Sequence, residues 1–314
     1  MALTLANSNY NGDHLNVIYK VFDTGNEVAE QALAVIETGI KKKRSLPKLS
    51  STDNPFGDYS ADAPSADTTT ITYAERALDP SPMQMFLKFL PEDFDDVWPD
   101  WQPGGDFTNA TLNAELLSAI LEINENAMGR QIAQLFYQGD TTLAAAAPMN
   151  KFNGLVTRAI ADANVPKITP AGVITVNNVV AIVKDFWTNI PDYFINNPDY
   201  VMQMNMTDYR LLQLANIALK EAFEGVLDLA ELNMFITTKI VPLVSMPKNY
   251  ILGAVANVNR MDSNQFMGVD QDEKTEVPRI EKMANGSKYY FIRIDVKADA
   301  NYREASELLL YKPA

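Results

Sequence analysis

The 314-residue chain is 47% hydrophobic, enough for a core of substantial size, and it carries 40 acidic against 26 basic side chains, a net charge of −14. That surplus opposes any general grip on DNA or on an anionic membrane, which clustered Lys and Arg would have to provide. The absence of cysteine rules out disulfides, thiol nucleophiles and thiolate metal sites, and a single histidine leaves zinc without its usual ligands.

Residues 1–20 lack the basic start and unbroken apolar stretch of a secretory signal. Apolar stretches such as Val173 to Val183 fall short of the roughly 20 residues that cross a bilayer. A helix is expected from about Thr24 to Ile40, with Val28, Ala32, Leu33 and Ile36 on one stripe. It runs into Lys41, Lys42, Lys43 and Arg44, which read either as cations satisfying a helix C-terminus or as a phosphate-binding patch. From Ser45 to about Thr70 the chain is rich in Pro, Ser, Asp and Thr and too polar to make its own core. Such a segment is either disordered or a projecting arm ordered by a neighbour. Its Thr-rich exit into Ile71 and Tyr73 favours a strand, the returning leg of a long hairpin.

Asp79 to Gly105 is crowded with aromatics and prolines, Trp98 and Trp101 among them. Its acids Glu92, Asp93, Asp95 and Asp96 lack the alternating ligands and turn glycine of a calcium loop, so a solvated acidic face is the expected reading. The strongest helical pattern covers residues 109–138. Leu112, Leu116, Ile120, Ile123 and Ala127 form a stripe that Met128, Ile132, Leu135 and Phe136 continue, and such a helix spans on the order of 45 Å. Gly139-Asp140 breaks it. A short strand is expected around Val173 to Val176, then a helix capped by Asn177 or Asn178 that carries Val179, Val180, Ile182, Val183 and Phe186 and stops before Pro191. Tyr200 to Met206 reads as a strand, and Thr207 or Asp208 opens a helix through Leu211, Leu212, Leu214, Ala215 and Ala218. Ile236 to Val244 and Tyr250 to Val258 have β character, and Lys288 to Val296 alternates as a half-buried strand does. The class is α+β.

The chemistry of known sites is hard to build from this inventory. His14 stands alone in a polar stretch, no Gly-x-Ser-x-Gly turn presents a serine, and neither a Walker A sequence nor a Gly-x-Gly-x-x-Gly loop occurs. Asp270, Asp272 and Glu273 imitate the opening of a calcium loop, but Lys274 stands where the third ligand belongs. Nothing singles out a glycosidase-like pair among the 40 acids. No catalytic, cofactor or metal residue is assigned.

Taken in order, the elements resemble the major capsid proteins of tailed phages that share the HK97-type fold, over nearly the whole chain. The passages that carry the resemblance are ENAMGRQIAQLFYQGD followed by NKFNGLVTRAI, where a spine helix ends in Gly139-Asp140 before a Phe152-Asn153-Gly154-Leu155 turn, and IPDYFINNPDYVMQMNMTDYRLLQLA. The resemblance implies an N-terminal arm over residues 1–40 and an extended E-loop hairpin over 41–80. It further implies a peripheral domain over 81–160 with its spine helix at 109–138, an axial domain over 161–275, and a return to the peripheral domain over 276–314. It implies a structural protein, not an enzyme, that self-assembles through hexamers and pentamers into the icosahedral shell around the double-stranded DNA of a tailed bacteriophage. Its place would be the virion, after assembly in the host bacterial cytoplasm.

Implied partners are other copies of the chain, a portal, a decoration protein, and packaged DNA enclosed without sequence-specific binding. A separate scaffold protein is also expected, because no charged helical scaffolding segment precedes the arm. No cofactor and no membrane are implied. Lys42, Lys43, Arg44, Leu46, Lys48, Phe56 and Tyr59 are the expected inter-subunit contacts. Two rivals are an encapsulin-like compartment, which shares the fold but encloses enzyme cargo, and a carboxylate-dependent hydrolase active as a monomer.

Overall fold

The computed structural model describes residues 26–51, 71–90, 114–168, 172–222, 234–235, 238–270, 279–283, 287 and 289–313. Its first element, α1 (Glu27–Glu30), is a single helical turn opened by Asn26, whose side chain accepts from the Val28 amide at 3.1 Å. The turn closes at once. The Leu33 amide donates to the Val28 carbonyl (2.9 Å) and the Ala32 amide to Ala29 (3.1 Å), with Ala32 in the left-handed region at φ 56°. The helix expected to reach Ile40 therefore ends there, and Val35–Glu37 form strand β1. The spacing that suggested one helical stripe serves two elements instead: Val28 and Leu33 are buried from the turn, Val35 from the strand, and Ala32 is exposed. Lys41 to Arg44 thus follow a strand, and the helix-terminus role expected of them falls away.

Two mixed sheets face each other. The first is built on the 13-residue strand β12 (Tyr290–Tyr302), which pairs on one edge with β4 (Ser81–Phe89) and on the other with β11 (Arg279–Lys282) and β10 (Gln265–Val269); β1 lies parallel to β10. Strand β4 is not among the elements expected from the sequence, although Met83, Met85, Leu87 and Phe89 turn inward while Pro82, Gln84, Phe86 and Lys88 stay outside. The second sheet runs in the order β5 (Lys167–Ile168), β13 (Leu309–Tyr311), β9 (Ile251–Val255), β6 (Tyr200–Asn205), β8 (Thr238–Leu243), β7 (Met234–Phe235). Its central strand β6 is buried throughout, which matches its nearly continuous apolar run.

On one face of that sheet lie α4 (Val179–Thr188) and α5 (Met206–Ala222), packing Val179, Ile182, Val183, Phe186 and Leu212 against Met202, Met204 and Ile251. Asn205 caps α5 in place of the expected Thr207 or Asp208, its Oδ1 accepting from the Thr207 amide at 2.8 Å. Asp208 is buried and accepts from the Asn249 amide at 2.6 Å. The stretch Val173 to Val176, expected as a strand, is a turn: the Asn178 side chain accepts from the Thr175 amide (2.7 Å) and donates to the Val173 carbonyl (2.9 Å).

On the opposite face the main core joins both sheets through Val201, Leu252, Met267 and Ile294, together with α1 and the ends of α2 (Ala114–Gln138) and α3 (Leu155–Ala161). At 25 residues α2 is about 37 Å long. Its expected single stripe divides. Ile132, Ala133, Leu135, Phe136 and Tyr137 are buried, whereas Ile123 is 70% exposed and Ala127 is exposed too. Where α2 hands over to α3, the two motif glycines abut. Gly154 donates to the Gly139 carbonyl at 2.8 Å, and a Cβ on Gly154 would stand 2.6 Å from the Leu135 carbonyl oxygen.

Residues 26–40 pack into the body, β10 belongs beside β12, and β13 belongs beside β9. The third sheet is the two-stranded ribbon of β2 (Arg44–Ser51) and β3 (Ile71–Leu78).

Candidate assembly surface

The ribbon pairs eight residues antiparallel, from Arg44 opposite Leu78 to Ser51 opposite Ile71. Because side chains alternate, Leu78, Leu46, Arg76 and Lys48 share one face, and Leu49, Tyr73 and Ile71 share the other. At the root Leu46 and Leu78 form a small cluster with Val35, Ile40 and Phe266, and the Arg303 guanidinium lies 4.8 Å from the Phe266 ring centroid. Asn301 donates to the Ala77 carbonyl (2.7 Å) and the Asp79 amide donates to Asp299 (2.8 Å). Asp299 also accepts from Arg158 at 2.6 Å; burial raises its carboxyl pKa although Arg158 pulls the other way.

Two ion pairs follow along the same face. Arg76 donates to Asp162 and lies 4.3 Å from the Tyr302 ring centroid, while the Tyr302 hydroxyl donates to the same carboxylate at 2.8 Å. Burial opposes the charge on Asp162, but donation from the Asn164 amide, Arg76 and Tyr302 holds its pKa at about 2. Burial and the adjoining carboxylate push the Tyr302 hydroxyl up. On the other strand Lys48 pairs with Glu304, on the turn that follows β12. Burial again opposes the charge, and Lys48 with Ser306 holds the Glu304 carboxyl below its usual value. Arg44 and Arg260 both reach the buried Glu37, each at 2.8 Å.

Of the residues expected at inter-subunit contacts, Lys42 and Lys43 are exposed, and Arg44 is paired with Glu37. Leu46 is 1% exposed and packs with Val35, Ile40, Leu78 and Phe266 of its own chain. Lys48 is tied to its own chain through Glu304, and Phe56 and Tyr59 lie outside the described residues. On the ribbon the exposed apolar side chains are Leu49 (71%), Ile71 (72%) and Tyr73 (59%), whose alternation with Lys48, Thr72 and Ala74 is a signal in the sequence.

His14, Trp98, Trp101 and the acids from Glu92 to Asp96 lie outside the described residues. Asp270, proposed to imitate a calcium loop, pairs with Lys297. Among the described residues no group of three or more His, Cys, Asp or Glu could hold a metal ion, and no helix is long and apolar enough to cross a membrane.

No family model matches the sequence, and no curated protein does. Solved structures match over nearly the full chain. The capsid of an empty GTA particle shares 12% identity over 91% of this chain and 90% of that one, with a TM-score of 0.60. The procapsid of satellite phage P4, which includes the size determination protein Sid, gives 12% identity, 95% and 98% coverage and a TM-score of 0.57. The capsid of Myoviridae phage XM1 gives 12%, 96% and 92%, and 0.55. The chain has the α+β fold of the HK97-type capsid proteins.

Proposed function

We propose that the chain is the major capsid protein of a tailed phage or phage-like particle, a structural protein that tiles with its own copies into an icosahedral shell around double-stranded DNA. The fold supports this reading, and one observation carries it beyond the fold. The β2–β3 ribbon carries an apolar strip of Leu49, Tyr73 and Ile71 that stays more than half exposed. A two-stranded ribbon is marginal alone in water, and such a strip gains stability only when another surface covers it. A neighbouring copy supplies that cover, in a heterologous contact that closes when enough copies join. In this reading the ribbon is the root of the E-loop, α2 is the spine helix and the sheet carrying α4 and α5 is the axial domain. Hexamers and pentamers are the capsomers; scaffold, portal and decoration proteins are the further partners. Electron microscopy of the expressed chain, with scaffold supplied, tests it. Closed shells are the expected result, and monodisperse monomers throughout would end the reading. Nuclease-protected DNA inside particles purified from a natural source separates a genome shell from an enzyme compartment.

A further inference from the structure

We infer that Arg76 and Lys48 are positioning residues that set the angle at which the β2–β3 ribbon leaves the subunit, and through that angle the curvature of the shell; this rests on the capsid reading above. The two side chains stand on opposite strands but on one face of the ribbon, at positions where Leu46 faces Arg76 and Lys48 faces Ala74. They reach different parts of the body. Arg76 reaches Asp162, just past the end of α3, and Lys48 reaches Glu304, just past β12. A single tie would leave the ribbon free to roll about it, whereas two ties on two strands fix tilt and roll together. Arg76 is also held in plane, with its guanidinium over the Tyr302 ring while Tyr302 and Arg76 share one carboxylate oxygen.

Both pairs are partly exposed, with side chains 15–31% accessible, a setting in which an ion pair contributes little to global stability. Their effect on direction is larger, because the ribbon is a lever. Eight paired residues span about 25 Å, so a tilt of roughly 10° at the root moves the far end by about 4 Å, enough to change which side chains of a neighbour the apolar strip meets.

The chain has no cysteine, so Thr72→Cys with Lys184→Cys places one unique pair of spin labels, on the ribbon and on the exposed side of α4, in the unassembled chain. A narrow distance distribution is expected in the otherwise unaltered chain, broadened or shifted by Arg76→Ala with Lys48→Ala. Arg76→Lys, which keeps the charge but not the planar stack, should fall between and guards against loss of folding in the stronger variant. In particles assembled under identical conditions, Arg76→Ala with Lys48→Ala should shift or widen the range of shell diameters, and Lys48→Glu with Glu304→Lys should restore it relative to Lys48→Glu alone. A distribution already broad in the unaltered background, or one unmoved by the substitutions, overturns the inference. Shells of unchanged diameter from the double variant overturn it as well. If the unaltered chain forms no shells at all, the capsid reading fails, and the label distances still decide whether the two ties hold the ribbon.

Discussion

The ribbon β2–β3 and the strand pair β4–β12 are both long antiparallel pairs, eight and nine residues in register, joined to each other through Asp79 and Pro80. Along β4 every second side chain turns into the main core, and the opposite face carries the ladder of Phe86 stacked on Phe291 at 5.5 Å and Lys88 placed 3.9 Å from the Tyr289 ring centroid. Along β3 only the last residues are covered, and Ile71 and Tyr73 are 72% and 59% exposed. Local structure is the same in both; what differs is whether an apolar face meets a layer. The chain thereby separates strands whose inward face is buried in the main core from a ribbon whose apolar face stays exposed.

That separation breaks if side chains of the two pairs prove interchangeable in their effect on folding. The largest effect is expected at Ile294 on β12, 3% exposed within the main core. Ile294→Ala should cost about 2–5 kcal/mol in denaturant unfolding, with assembly lost only as a consequence. Leu46→Ala at the ribbon root opens the smaller cluster around Phe266 and should cost roughly 2–3 kcal/mol, since in a cluster of five side chains fewer neighbours lose contact with it. An effect below about 0.5 kcal/mol would move the boundary between body and ribbon down to the root itself.

A smaller effect, with a sign that depends on pH, belongs to Asp162. Its carboxyl pKa is about 2 in the folded chain against an ordinary 3.8, so the group contributes stability that is fully present above pH 3.8 and lost as pH falls toward 2. Allowing for partial exposure, Asp162→Asn should cost about 1–2 kcal/mol at pH 7 and remove the slope of stability between those two pH values. Asp299 and Glu307 act oppositely: burial raises both, so their penalty is relieved as pH falls through the raised values, and the measured profile is their sum with Asp162. A slope in Asp162→Asn equal to that of the unaltered chain would show that the Arg76 tie does not form.

What could be read in the sequence follows the same division. The body's long regular elements announce themselves: the end of α2 by its apolar spacing, β6 by a nearly continuous apolar run, β12 by alternation. Short elements do not. β1 and β13 are three residues each, too few for a period to register, and in the stretch Ser81 to Phe89 the outward Phe86 and Pro82 mask an alternation that was present. The reversal at Ala32 was illegible because alanine in a left-handed position carries no compositional mark, as glycine would. The polar segment between the ribbon strands pointed to a projection, but the ties at its root join residues 86 and 256 positions apart, Arg76 to Asp162 and Lys48 to Glu304, and no local pattern encodes them. For the same reason the packing of Leu46 against Val35 of β1 and Phe266 of β10 has no local signal either.

The smallest expected effect on folding is the one that sharpens the comparison most. Leu49 and Tyr73 face each other across the ribbon on its outer side, each more than half exposed, so Leu49→Ser with Tyr73→Ser removes apolar surface that is already in water. Unfolding of the isolated subunit should change by no more than about 0.5 kcal/mol, the range of ordinary surface substitutions. In an assembly where a neighbour covers both side chains, the same pair removes area worth about 25 cal/mol per Å² at every copy of the contact, and the loss repeats around the shell. Light scattering and electron microscopy of assembling subunits should therefore show a rise in the concentration needed to form shells, while circular dichroism and melting of the subunit stay level. A variant that melts early would place these two residues in the core after all. One that melts and assembles as the unaltered chain does would mean the strip faces solvent in the particle and some other surface joins the tiles.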